Sequence, residues 1–161
     1  MSSPTFIAEC RERRTKMTRT QGNGTQSKAI NNLHNLSQNY MNSACLFITQ
    51  HSPHVCIILS DRASKSMLKA LYMKEHNSVD PSHSLLLEDM VELTFHESGL
   101  ELDTMMFIQS MHFLASLIDI SPIEQMETAY LKRLMQRVDD VLIQLSARVT
   151  SHPSEQYRSI F

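Results

Sequence analysis

Three cations follow one another at spacings of three and four: Arg62, Lys65 and Lys69. On a helix such positions share a face, and the ridge they form can meet phosphate, Arg through its planar fork and Lys as a point charge. A solvated helix face has the same appearance when the opposite side, here Ala63, Met67 and Ala70, is apolar. Of the eight histidines, His83 stands apart because it opens a helical segment, where an imidazole can bond backbone and fix a loop or else contact a ligand. The others offer little to a metal. Pro53 breaks the helix between His51 and His54, Glu92 and His96 lie one turn apart, and a di-metal site in a bundle wants inward carboxylates on four helices with two Glu-x-x-His pairs. No metal and no cofactor are expected. There is neither a G-x-S-x-G elbow nor a Gly-rich phosphate loop, and Cys45 and Cys56 lie in apolar stretches where a thiol is a small hydrophobe.

The stretch that must position the ridge is Val55 to Leu93. Five apolar residues, Val55 to Leu59, lead into Ala63, Met67, Ala70 and Leu71, which predicts a core helix from about Pro53 to Glu75 with Ala70 facing the core. Pro53 suits a first helical turn and ends the helix before it. That preceding helix is expected from Ser27, with Ile30, Leu33, Tyr40, Ala44 and Phe47 on one face and Leu36 and Ile48 beside it. A short third helix is expected over about Ser82 to Phe95 and a fourth to about Ile118, with Leu102, Met105, Met106, Phe113 and Leu117 as its stripe. Ser121-Pro122-Ile123-Glu124 is a helix start, and Ile123, Met126, Tyr130, Leu134, Val138, Val141, Leu145 and Val149 predict one long last helix. Short connections place neighbours antiparallel, so the fold class is all-α, an up-and-down bundle of four long helices plus one short one.

At 161 residues the chain suits one domain. Residues 1–26 are polar, breaker-rich and basic, and are expected to be a flexible arm; 27–150 form the bundle, and 151–161, with Pro153 and no stripe, fray. Arg11, Arg13, Arg14, Lys16, Arg19 and Lys28 face only Glu9 and Glu12, a net of +4, while nine basic and fifteen acidic residues leave the body at −6. The arm can hold phosphate backbones electrostatically. Three cysteines without a C-x-x-C pair and no apolar run of membrane length point to a reducing cytoplasm and no membrane contact. Among eleven methionines, Met105, Met106 and Met111 come together on the fourth helix, where Met adapts to surfaces that pair with another subunit.

Lys69-Ala70-Leu71-Tyr72 and Pro81-Ser82-His83-Ser84-Leu85, with the small residues Ala63 and Ser64 before them, resemble the second helix and following loop of HEPN domains, the small helical nucleotide-binding domains of higher eukaryotes and prokaryotes. The resemblance covers about residues 27–149. It implies a homodimer that binds RNA or a nucleotide, or pairs with a nucleotidyltransferase; the residues read here as able to contact a ligand are the ridge Arg62, Lys65 and Lys69, of which Arg62 and Lys65 depart from the Gln and Glu common in the family, and His83. Ribonuclease members, some of them toxins of toxin–antitoxin pairs, carry an Arg followed by His after four to six residues. Arg148 and His152 have only three residues between them, so the resemblance implies a non-catalytic member. The alternatives are a degenerate metal-independent ribonuclease using Arg62 and His83, and a purely structural interaction module.

Overall fold

The computed structural model describes the backbone of residues 5–78, 80, 84–86, 89, 92–93 and 101–161, and the side chains of these from Gly24 onward. Helices α1 (Thr5–Thr49), α2 (Pro53–Glu75), α3 (Leu102–Ala115), α4 (Ser121–Glu124) and α5 (Thr128–Val149) precede a short 3-10 turn at Pro153–Glu155, and no strand occurs among the described residues. The fold is all-α. No helix of the described residues is long and apolar enough to cross a membrane. The expected helix over 82–95 lies mostly outside the described residues, as does His83; within it Asp89, Glu92 and Leu93 are helical.

Two helix ends are set by local chemistry. His51 and Asn77 have φ of 51° and 50°, the left-handed conformation that closes a helix. In each case the next residue bonds back into the last turn, Ser52 N–H to Phe47 O at 3.2 Å and Ser78 N–H to Met73 O at 3.0 Å. The first of these turns reverses the chain. Gln26 donates to Met73 O, Ser37 to Ala63 O and Cys56 to Ala44 O, so α1 and α2 run antiparallel. His34 meets Ser146, and His51, just past the end of α1, meets Thr128 at the start of α5, so α5 is antiparallel to α1; Asp61 meets His112, with Leu68 and Ile108 further along, so α3 is antiparallel to α2. An up-and-down bundle results, with α2 touching every other helix.

The core is built around α2, where Cys56, Ile57, Ala63, Met67, Leu68 and Ala70 are fully buried. Elsewhere the sequence expectations need correction. On α1 the deepest line is His34, Ser37, Met41, Ala44 and Ile48, while Leu36 is exposed and Ile30, Leu33, Tyr40 and Phe47 only flank the core. Two polar residues lie on that line because each has a buried partner, Ser146 and Ala63 O. Helix α1 starts at Thr5 and not at Ser27, its backbone continuing through the stretch read as a flexible arm. Glycine interrupts a helix at a cost of only about 1 kcal/mol, and there is no proline between Thr5 and Ser52. The last helix is not continuous from Ser121: residues 125–127 break it, Glu127 is extended, and Tyr130 is exposed. Helix α3 also ends early, at Ala115, and buries Thr104, Met105, Ile108 and Met111, leaving Leu102, Met106 and Phe113 outside.

The tail is the largest difference. Residues 151–161 were expected to fray, yet Tyr157 is buried in the core, its hydroxyl donating to Asp139 Oδ1 at 2.7 Å and its N–H to Ser146 Oγ at 2.7 Å. Ser159 Oγ donates to Asp139 Oδ2 at 2.6 Å, and Gln38 holds the backbone of Arg158. Residues without periodicity are ordered here by contacts with α1 and α5.

Candidate functional site

Helix α2 carries Arg62, Lys65 and Lys69 as the spacing predicts, but the residue that organises the site is Asp61. It lies four residues after Ile57 and seven before Leu68, both fully buried, so its own side chain is drawn into the packed face and is only 8 % exposed. Burying a carboxylate is costly unless charged or hydrogen-bonding groups offset it. Lys65, one turn on, places Nζ 3.0 Å from Asp61 Oδ2, the favourable order with the acid N-terminal to the base. From the antiparallel α3, His112 places Nδ1 3.3 Å from Oδ1 and 3.4 Å from Oδ2.

This arrangement has a chemical consequence. With Nδ1 turned to a carboxylate, the neutral imidazole carries its proton there, and Nε2 keeps the lone pair. Nε2 has no protein partner among the described residues, and the ring is 47 % exposed. Asp61 thus fixes the orientation of a histidine that can accept or donate a proton at its outer nitrogen.

The pair separates two hollows. One, of about 490 Å³, is walled by Leu68, Leu85 and Ile108 and edged by Lys65, Lys69, Gln109 and His112. The other, of about 310 Å³, reaches Arg62, Ala115 and Ser116. Lys65 and Lys69 therefore share a cavity, Arg62 sits across the Asp61–His112 pair from it, and His83 falls outside the described residues. Lys65 is paired with Asp61, whereas Lys69 and Arg62 have no carboxylate partner among the described residues. An anion entering the larger cavity would meet Lys69, Lys65 and, once protonated, His112. Among the described residues no three His, Cys, Asp or Glu side chains form a metal-binding group.

Asp61 and His112 were not among the residues singled out by motif. A signal existed for both. Asp61 follows the apolar run Val55 to Leu59 and falls four residues after Ile57, on the buried side, and His112 follows Ile108 by four on the face that α3 turns to the core. No protein-family model matches this chain, and neither curated proteins nor solved structures provide a match.

Proposed function

We propose that the chain is a HEPN-like, non-catalytic helical domain that binds RNA or a nucleotide through its phosphate in the α2–α3 cavity. One observation carries this reading: Lys65, Lys69 and His112 border a single cavity of about 490 Å³ that Leu68, Leu85, Leu86 and Ile108 also line. That combination suits a ligand with an anionic end and a flat apolar one, within the usual size of ligand pockets. His112 takes the place that His83 held in the sequence-based expectation. The domain works as a homodimer and can pair with a nucleotidyltransferase-like partner. Helix α3 supports a pairing surface, because it is apolar on both sides while Leu102, Met106 and Phe113 are 70, 61 and 64 % exposed. Measurement of single-stranded RNA binding to the parent and to Lys65→Glu/Lys69→Glu tests the site; equal affinity in the two would remove it.

A second reading, metal-independent ribonuclease, has the Asp61–His112 pair in its favour, since an oriented imidazole is the usual proton carrier. Binding without turnover remains the better fit. Cleavage of a ribose phosphodiester uses a base at the 2′-hydroxyl and an acid at the leaving oxygen, and among the described residues one imidazole, His112, borders the cavity. Turnover of labelled RNA in EDTA that vanishes in His112→Ala would promote this second reading.

A further inference from the structure

The body of the protein holds its own C-terminal segment as it would hold a bound peptide. Gln38 on α1 pairs its side-chain amide with the main chain of Arg158, accepting from N–H at 2.8 Å and donating to the carbonyl at 3.0 Å. Asp139 on α5, 2 % exposed, accepts from the Tyr157 hydroxyl, the Ser159 hydroxyl and, at 3.3 Å, the Ile160 N–H. Ser146 accepts the Tyr157 N–H. Residues 157 and 159 are thus read by side chain, residue 158 by backbone, and the Arg158 side chain is left outside. Backbone pairing with alternate side chains in pockets is how extended peptides are recognised.

Nothing comparable ties the linker. Residues 151–155 are exposed, and their hydrogen bonds among the described residues are local: Thr150 Oγ1 to Glu155, His152 N–H to Thr150 Oγ1, and Glu155 N–H to His152 O. A cavity of about 620 Å³ also runs beside the tail, between its residues 154–156 and 158–160 and Asn31, Asn35 and Asn42 of α1. The recognised part and the tether are therefore distinct pieces of chain.

We propose that the α1–α5 groove is a receptor for the extended sequence Tyr-x-Ser-Ile, and that its occupant in trans is the tail of a second copy, exchanged on the 151–155 linker. Every contact made within one copy is remade between two. The balance then depends on concentration against the effective concentration of the tethered tail, roughly millimolar for a short link. This exchange is independent of any ligand in the α2–α3 cavity.

The test uses full-length chains. A Tyr157→Ala chain keeps Gln38, Asp139 and Ser146 and holds its own tail more weakly, so a fluorescent synthetic peptide of residues 153–161 should displace that tail and bind 1:1, saturating by about 1 mM. The same peptide with Tyr157→Ala should bind at least ~10-fold more weakly, as loss of one buried anchor and its bond predicts. Exchange is then read by mixing an Asp139→Ala chain, donor-labelled at its C-terminus, with a Tyr157→Ala chain, acceptor-labelled on α1. Energy transfer that unlabelled peptide competes away is expected. If Asp139→Ala does not fold by circular dichroism, Gln38→Ala/Ser146→Ala replaces it. Absence of saturable peptide binding overturns the receptor, and peptide binding without competed energy transfer overturns the second copy as occupant.

Discussion

Asp61 and Asp139 are the two buried carboxylates among the described residues, and the bundle treats them in opposite ways. Asp139 receives neutral donors only, two hydroxyls and a backbone N–H, all from the chain's own tail, and is closed off. Asp61 receives an ammonium and an imidazole that are each about half exposed and that border open cavities. A carboxylate satisfied by its own chain serves to hold structure. One satisfied by half-exposed charges orients groups that remain available to something else.

The comparison can be broken most forcefully at Asp139. Replacement by Ala removes the acceptor of three donors, and we expect a loss of about 3 kcal/mol in urea unfolding, in the range for breaking a buried network. A loss below about 0.5 kcal/mol, the usual scale of surface changes, would mean the tail is not an integral part of the fold.

Tyr157→Phe is the finer version. It deletes one hydroxyl and leaves Asp139 short of a donor, at a cost of about 1–2 kcal/mol near neutral pH. Burial foremost, and then the hydrogen bond to Asp139, push the Tyr157 hydroxyl well above the ordinary tyrosine value of 10.0. The unfolded chain therefore loses this proton first as pH rises. The stabilisation is fully present below pH 10 and declines above it. The melting temperature of the parent should fall more steeply than that of Tyr157→Phe between pH 9.5 and 11, and parallel curves would place the hydroxyl elsewhere.

At the other carboxylate the effect on stability should be small and the effect on binding should have the opposite sign. Asp61→Asn forfeits a pair made with half-exposed partners, worth no more than about 1 kcal/mol, and releases Lys65 from its counter-charge. RNA affinity should rise, and the slope of log K against log salt should steepen by roughly 0.7, the increment for one more phosphate neutralised on a single strand. Weaker binding would mean that Asp61 serves the ligand chiefly by orienting His112.

What could be read from the sequence follows the same division. The α2 core was legible because Ala63, Met67, Ala70 and Leu71 repeat at helical spacing with little to confuse the phase. The buried face of α3 was not, because apolar residues occur on more than one of its faces: Leu102, Met106 and Phe113 fit a stripe as well as Met105, Ile108 and Met111 do. The tail was illegible because Tyr157 and Ser159 are fixed by a residue 18 and 20 positions earlier, a distance at which periodicity carries no information. Of the site, the cationic ridge was visible, while Asp61 and His112 drew meaning only when α3 was laid against α2. Gly22 and Gly24 misled in the other direction. Read as breakers, they lie inside α1, and a Cβ on Gly24 would meet nothing within 4 Å.

The central claim, that the α2–α3 cavity holds phosphate, is tested most directly by titrating labelled single-stranded RNA at several salt concentrations against the parent, Lys65→Glu/Lys69→Glu and Tyr157→Phe. The account predicts a parent affinity that falls with salt, at least ~10-fold weaker binding in the double lysine variant with a slope shallower by at least roughly 0.7, the increment for the phosphate met by Lys69, and unchanged binding in Tyr157→Phe. Salt-independent binding, or a double lysine variant that binds as the parent does, would contradict it.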